Sequence, residues 1–490
     1  MSLASALSTA QSIFNNSGTQ ASVVSKNIAN AQNPDYVRRS ALVVTGGNGA
    51  MIGEIARAGN SPLMRQTIES TSIAVGQRTL LNGVSEIKSL MGGNNNEFSP
   101  AVLIANFRTN LDAFSAKAND SGIGIAVISG ARDLATALNT ASDKLQLIRK
   151  DADDQIKQNV NDLNSLLAKF EVANNRVKNA SATGADANDA LDERDALVKK
   201  ISEIVGVTSY TRGDNNDMVL YTTDGVTLFE AVPRKVTFEA TIGYDASTVG
   251  NGIYIDGVLL KAGDGASTTA KGSLQAHLQL RDKIAPTFQN QLDEIARGLI
   301  TAFAETGPTG TLTPKTGLFT FRDTSGVQQS DVPPVGTIVP GLASRILVNP
   351  VVVPSGGSPD KLRDGGINGG PYVVNTGGSS YGALLDKYNE NLSNPMAFDS
   401  RTEISDAPNL ISLTADSMGW LEQIRSTATS SDETKTALLT RTLEVFSSTT
   451  GVSLDEELSL LLDIEQSYKA GTKLLSTIDE MMEALLAMAS

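Results

Sequence analysis

The sequence predicts an α+β, multidomain protein: long terminal and rod-like helices form coiled-coil or bundle domains, and a β-rich domain is inserted in the middle. Three observations carry this expectation. Apolar residues recur at helical spacing over both ends of the chain and over residues 134–177, and the period becomes alternating beyond Gly206. A length of 490 residues also exceeds what one growing hydrophobic core accommodates.

The first element is a helix. Leu3, Leu7, Ala10, Phe14, Ser17, Ala21, Val24, Ile28 and Ala31 follow in alternating steps of four and three, a coiled-coil seam interrupted only by Ser17. Through Asn33 the only charged side chain is Lys26, so the outer face is Ser, Thr, Asn and Gln. Such a surface suits protein neighbours on more than one side. In "NPDY", Pro34 turns Asn33 away from helix and suits a type I turn with proline at its second position.

Ser61-Pro62 and Ser99-Pro100 each read as an N-cap followed by proline in the first helical turn. The helical pattern over 134–177 would extend roughly 65 Å at 1.5 Å per residue. "NASATGADAND" closes it, and "ALDERDALVKKISEIVG" makes a shorter amphipathic helix. Asp224-Gly225 and Asp256-Gly257 then mark two hairpins, giving a small β domain over residues 207–262. Helix returns after Gly272, with Pro286 expected to kink or split it. Nine of the sixteen prolines fall between Pro308 and Pro371, so that stretch is loops and short strands.

The last forty residues are helical again. Ser453 and Glu456 form a capping box, and Asp455, Glu456 and Glu457 favour the helix N-terminus. Leu454, Leu458, Leu461, Ile464, Tyr468, Leu475, Ile478, Met482 and Leu485 make a stripe, widened by Leu460, Leu462, Leu474, Met481 and Met488 beyond what one partner helix covers. The two terminal stripes could pair within one monomer, but their width and the uncharged N-terminal surface fit packing among several subunits better. Each fully buried Leu, Ile or Phe would contribute roughly 1.5–3 kcal/mol.

Composition excludes several function classes. With 54 acidic against 40 basic residues the net charge is -14, which disfavours nucleic acid and anionic membrane surfaces as partners. The chain has no cysteine and no run of about 18 apolar residues. Its start lacks the positive charge of a cleavable signal peptide, leaving a cytoplasmic protein or export by a route that reads no such signal. His277 is the only histidine and reads as a helix-surface or interhelical residue. There is no nucleotide-binding glycine motif, and "TGGNGAMIG" and "DGGINGG" read as flexible turns. The carboxylates of 151–154 and 192–195 sit in helical patterns, as solvated faces, and those of 214–217 in a polar hairpin loop. No catalytic residue, cofactor or metal site is expected.

"SKNIANAQNPDYVRR" and "GVSLDEELSLLLDIEQSYKAGTKLLSTIDEMMEALLAM" resemble the N- and C-terminal signatures of bacterial flagellar axial proteins. "LDERDALVKKISEIVGV" and "RDKIAPTFQNQLDEIARGLITAFAETG" resemble internal stretches of the flagellar hook-associated protein 1 family. The resemblance implies a non-enzymatic structural protein. It would be exported unfolded to the outside of the cell and assembled as a ring joining hook to filament. Its partners would be copies of itself, hook protein, the next hook-associated protein and an export chaperone on the C-terminal helix. A hook or rod subunit is the alternative; an enzyme on a helical oligomerisation scaffold is a further one.

The implied division is paired terminal helices over 1–35 and 450–490, an elongated helical domain over 36–206, 271–310 and 380–449, and a β-rich outer domain over 207–270 with part of 311–379. The expected assembly interface comprises Leu3, Leu7, Phe14, Val24, Asn27, Ile28, Asn30 and Tyr36 with Leu454, Leu458, Leu461, Ile464, Tyr468, Leu475, Ile478, Met482 and Leu485. Asp35 stands where the family usually has glycine, so a turn needing positive φ is not expected there.

Overall fold

The computed structural model describes residues 3–46, 49–263, 270–405 and 407–489. In chain order the elements are α1 (Leu3–Ala29), β1 (Arg39–Gly46), β2 (Gly49–Arg57), α2 (Ser61–Ser89), α3 (Pro100–Ala116), α4 (Ser121–Thr183) and α5 (Asn188–Ile204). Then follow β3 (Val207–Arg212), β4 (Asp217–Thr222), β5 (Thr227–Phe229), β6 (Val236–Thr237), β7 (Tyr254–Ile255) and β8 (Val258–Leu259). The remainder is α6 (Gly272–Gln279), α7 (Ala285–Ala302), β9 (Phe319–Arg322), β10 (Gln328–Gln329), β11 (Ile346–Val348), α8 (Asp360–Asp364), α9 (Ala383–Ser393), α10 (Leu410–Thr450) and α11 (Leu454–Ala489).

Two compact units form. One comprises Met1–Ala74, Asp162–Val236 and Thr434–Ser490; the other comprises Val75–Asn161 and Thr237–Glu433.

In the first unit α1 and α11 run antiparallel, since Phe14 meets Tyr468 edge-on at 5.0 Å and Ile13 meets Gly471, while Asn27 meets Glu457. A Cβ on Gly471 would lie 2.9 Å from Ile13, so the close approach requires glycine. The β1–β2 hairpin rests on α1, with Ser12 and Asn16 both donating to the carbonyl of Ala50. This hairpin occupies a stretch expected to belong to a mainly helical domain. Its alternating, β-branched "ALVVT" and "MIGEI" runs favour strands, which the helical framework on either side obscured. Gly47 and Asn48 of the expected glycine-rich turn lie outside the described residues, while Gly49 to Gly53 are strand. A third layer is the sheet β3-β4-β5, whose Phe229 packs edge-on against Phe170 of α4 at 4.9 Å.

The second unit is built on α7, whose fully buried Phe288, Leu292, Ile295 and Leu299 form part of one large core. Phe107, Phe303, Phe319 and Tyr388 cluster there with ring centroids 5.1–6.0 Å apart. α6 passes into α7 through one π turn, residues 280–284, and Pro286 lies in the first turn of α7. The ladder is thus interrupted rather than broken, which answers the expected kink. Asp153, expected on a solvated face, is fully buried and accepts from Arg281 Nη1 at 2.6 Å, Tyr244 Oη at 2.7 Å and Thr241 N at 2.8 Å. Its neighbours Asp151 and Asp154 are exposed as expected. Asp293 accepts two backbone N–H groups and Gln289, yet burial pushes it up to about 7.

Local signals fared unevenly. Ser99 caps α3 through its hydroxyl, whereas α2 is capped by Asn60, whose Oδ1 accepts from Leu63 N at 3.0 Å, one residue before the expected Ser61. The helix expected over 134–177 extends to both sides as α4. The Asp256-Gly257 hairpin has φ of 51° and 80° at its two turn residues, the geometry a two-residue turn needs. The two hairpins do not share one sheet: β4–β5 belongs to the first unit and β7–β8 to the second. None of the described helices is long and apolar enough to cross a membrane.

Candidate assembly interface

Asn27, in the last turns of α1, is fully buried and uses every hydrogen-bonding position of its amide. Nδ2 donates to Arg39 O at 2.8 Å and Glu457 Oε2 at 3.0 Å; Oδ1 accepts from Tyr36 Oη at 2.8 Å and Arg39 N at 3.1 Å. Four bonds saturate an amide, so its replacement leaves buried groups unpaired. What brings Tyr36 and Arg39 back to Asn27 is the "NPDY" turn. Tyr36 N donates to Asn33 O and Asp35 N to Asn33 Oδ1, both at 3.1 Å, and Asp35 needs no positive φ.

Glu457, in the first turn of α11, is 0% exposed. Its carboxylate accepts from Arg38 Nε at 2.7 Å as well as from Asn27, and Arg38 N donates to Thr450 O at 2.8 Å. The start of α11 is thereby latched to the end of α1. The expected capping contact is present too, with Glu456 N donating to Ser453 Oγ at 3.4 Å.

Behind the latch lies an ion-pair network. Arg39 Nη2 reaches Asp189 at 2.6 Å and Asp192 at 2.8 Å, and Arg57 bridges Asp192 and Asp195 at 2.8 Å each. Burial pushes Asp192 above its ordinary range, opposed by Arg57 and then Arg39; burial likewise raises the Tyr36 phenol. Asp192 and Asp195 are therefore not a solvated helix face: their side chains are 12% and 15% exposed and tie α5 to the hairpin. Asp217 of the 214–217 loop is likewise buried, paired with Arg212 at 2.8 Å. No group of three or more metal-ligating side chains exists among the described residues.

The remaining expected positions divide sharply. Val24, Asn27, Tyr36, Ile464 and Ile478 are buried; Leu3, Phe14, Ile28 and Asn30 are half-buried. Leu7, Leu454, Leu458, Leu461, Tyr468, Leu475, Met482 and Leu485 are exposed, joined by Leu462, Met481, Leu486 and Met488. On α11 the buried residues are Glu457, Ile464, Gly471 and Ile478, seven apart; on α1 Ala10, Ser17 and Val24 repeat likewise. Along α11 one residue per heptad is sealed, half of a coiled-coil seam, while α1 also buries Val23 and Asn27. Exposed apolar side chains in this number are a candidate association surface. Arg38, Arg39, Arg57 and Glu457 were absent from the expected interface, because their partners lie far away in sequence; the only available signal was Glu457 at the head of the helix.

The chain is similar to known flagellar proteins. Residues 84–319 match the family described as flagellar hook-associated protein FlgK helical domain, and residues 446–488 match the flagellar basal body rod FlgEFG protein C-terminal family. Flagellar hook-associated protein 1 of Salmonella typhimurium is 24% identical over 322 residues, covering 61% of this chain and 56% of its own length. Its Escherichia coli counterpart is 23% identical with the same coverage. The match thus spans little more than half the length of these relatives. The solved structure of the flagellar hook junction protein FlgK from Burkholderia pseudomallei shares the fold, with a TM-score of 0.54 and 14% identity over 77% of this chain and 98% of that one.

Proposed function

From the premise that the chain belongs to the flagellar hook-associated protein 1 family by its helical domain and C-terminal segment, we propose that it is the structural junction between hook and filament. Copies assemble as a ring and act as a mechanical adaptor on which the filament is built. The observation that carries this reading is α11: latched at its first turn, buried at one residue in seven, and with most of its remaining large apolar side chains exposed among its charged ones. Its environment is completed by other subunits. The latch sets where α11 starts relative to α1, and the exposed Leu454, Leu458, Leu461, Leu475, Met482 and Leu485 supply the apolar area that association buries.

On this reading the protein works outside the cell. Hook protein and the next hook-associated protein are its axial neighbours, and a chaperone shields α11 before export. A hook or rod subunit would share the C-terminal segment; the helical domain over 84–319 favours the junction.

Electron microscopy of a deletion strain, with an assay for flagellin in the medium, tests the proposal. Bare hooks with shed flagellin are expected. Absent hooks would move the protein to the hook or rod class, and normal filaments would overturn the reading.

A further inference from the structure

Four Asn-Gly pairs occur in the chain, at Asn48, Asn82, Asn251 and Asn368. Such pairs rearrange when the glycine nitrogen attacks the asparagine side-chain carbonyl. That requires a glycine N–H able to give up its proton and a side chain able to swing. Asn48 lies outside the described residues, and the other three differ in both respects.

Asn82-Gly83 lies inside α2, where the glycine N–H belongs to the helical ladder. At Asn368, Gly369 N donates to Gly366 O at 3.1 Å, and the side-chain amide is held by Glu305 Oε2 and Thr316 O, both at 2.8 Å. Asn251 is exposed, outside regular structure, and its amide makes one bond, to Glu239 O at 3.0 Å. The Gly252 N–H has no partner among the described residues. Arg281 Nη2 also donates to Asn251 O at 2.8 Å. That oxygen belongs to the same peptide group as the Gly252 N–H, so a guanidinium on it withdraws electron density and makes the N–H more acidic.

We propose that Asn251 is a built-in deamidation site of the folded protein, favoured over Asn82 and Asn368, at which this chain acquires aspartate and isoaspartate with age. Gly252 N loses its proton to solvent base and bonds to Asn251 Cγ; the Cγ–Nδ2 bond breaks and ammonia departs with a proton. Water then opens the cyclic imide at either carbonyl, leaving aspartate or isoaspartate. The product carries an acceptor where Nδ2 donated, so the bond to the Glu239 carbonyl is lost and residues 239–251 loosen.

The test is incubation of the folded full-length protein at mildly alkaline pH, with peptide mass mapping of the amide-to-acid change over time and a urea-denatured sample in parallel. Asn251 should convert at least tenfold faster than Asn82 and Asn368 in the folded protein, roughly the effect of one kilocalorie-scale difference in barrier. In the denatured sample that preference should vanish. Aged protein and Asn251→Asp should both be cleaved faster within residues 239–251 by limited proteolysis. An intact Asn251 amide in the folded protein, or conversion of Asn82 or Asn368 at an equal rate, would overturn the proposal.

Discussion

Helix α7 buries fifteen of its eighteen residues, whereas α11 buries four of the thirty-five whose burial is described, although both are rich in Leu, Ile and Ala. The polar side chains of α7 are inside and partnered: Arg297 and Glu294 form a buried bidentate pair at 2.7–2.8 Å, and Gln291 meets Ser417 and Thr402. Ile464 and Ile478 apart, most of the large apolar side chains of α11 are exposed, Leu486 to 67% and Met488 to 81%. The difference separates two uses of the same residues. One helix organises a core within its own chain; the other leaves much of its apolar area bare, the area that the proposed assembly would cover.

Substitutions can break or sharpen this contrast. The largest effect is expected for Phe288→Ala, which empties a fully buried site in α7 and should lower unfolding free energy by about 3–5 kcal/mol in denaturant titration. Glu457→Ala strips a partner from Asn27 and Arg38 and should cost about 2–3 kcal/mol, read as early melting of the terminal helices by hydrogen exchange. If exchange in α11 were unchanged, the latch would have no role in holding the pair.

Acid should affect the α7 side of the comparison. Burial lowers His277 of α6 to about 4, against an ordinary value of 6.5. The unfolded chain therefore takes up a proton that the folded one refuses, so stability is complete above pH 6.5 and declines as pH falls towards 4. The decline should be about 2–3 kcal/mol, and His277→Gln should flatten it in unfolding curves measured across that range. The smallest effect on the monomer is expected for Leu458→Asp with Leu485→Asp: under about 0.5 kcal/mol in unfolding, yet loss of incorporation into flagella. A large destabilisation of the monomer would mean that α11 is core after all.

Much of this was legible from the chain itself. The four-and-three spacing of α1, the Ser99 cap, the Asp-Gly hairpins and the excessive width of the α11 stripe are local features, and local propensity acts over a few residues. The β1–β2 hairpin was hidden by long helices on both sides, and the 192–195 carboxylates resembled any charged helix face.

The sequence by itself determined the long helices at both ends and in the rod, where the chain must turn at Pro34, and that α11 carries more apolar surface than one partner covers. Only the tertiary structure decided that Glu457 closes on Asn27 across 430 residues, that Arg39 and Arg57 draw α5 onto the hairpin, and which heptad position of α11 is sealed. The physical reason is range. Periodicity and capping are set by neighbours along the chain, whereas burial of a charge depends on a partner that only folding brings within hydrogen-bonding distance.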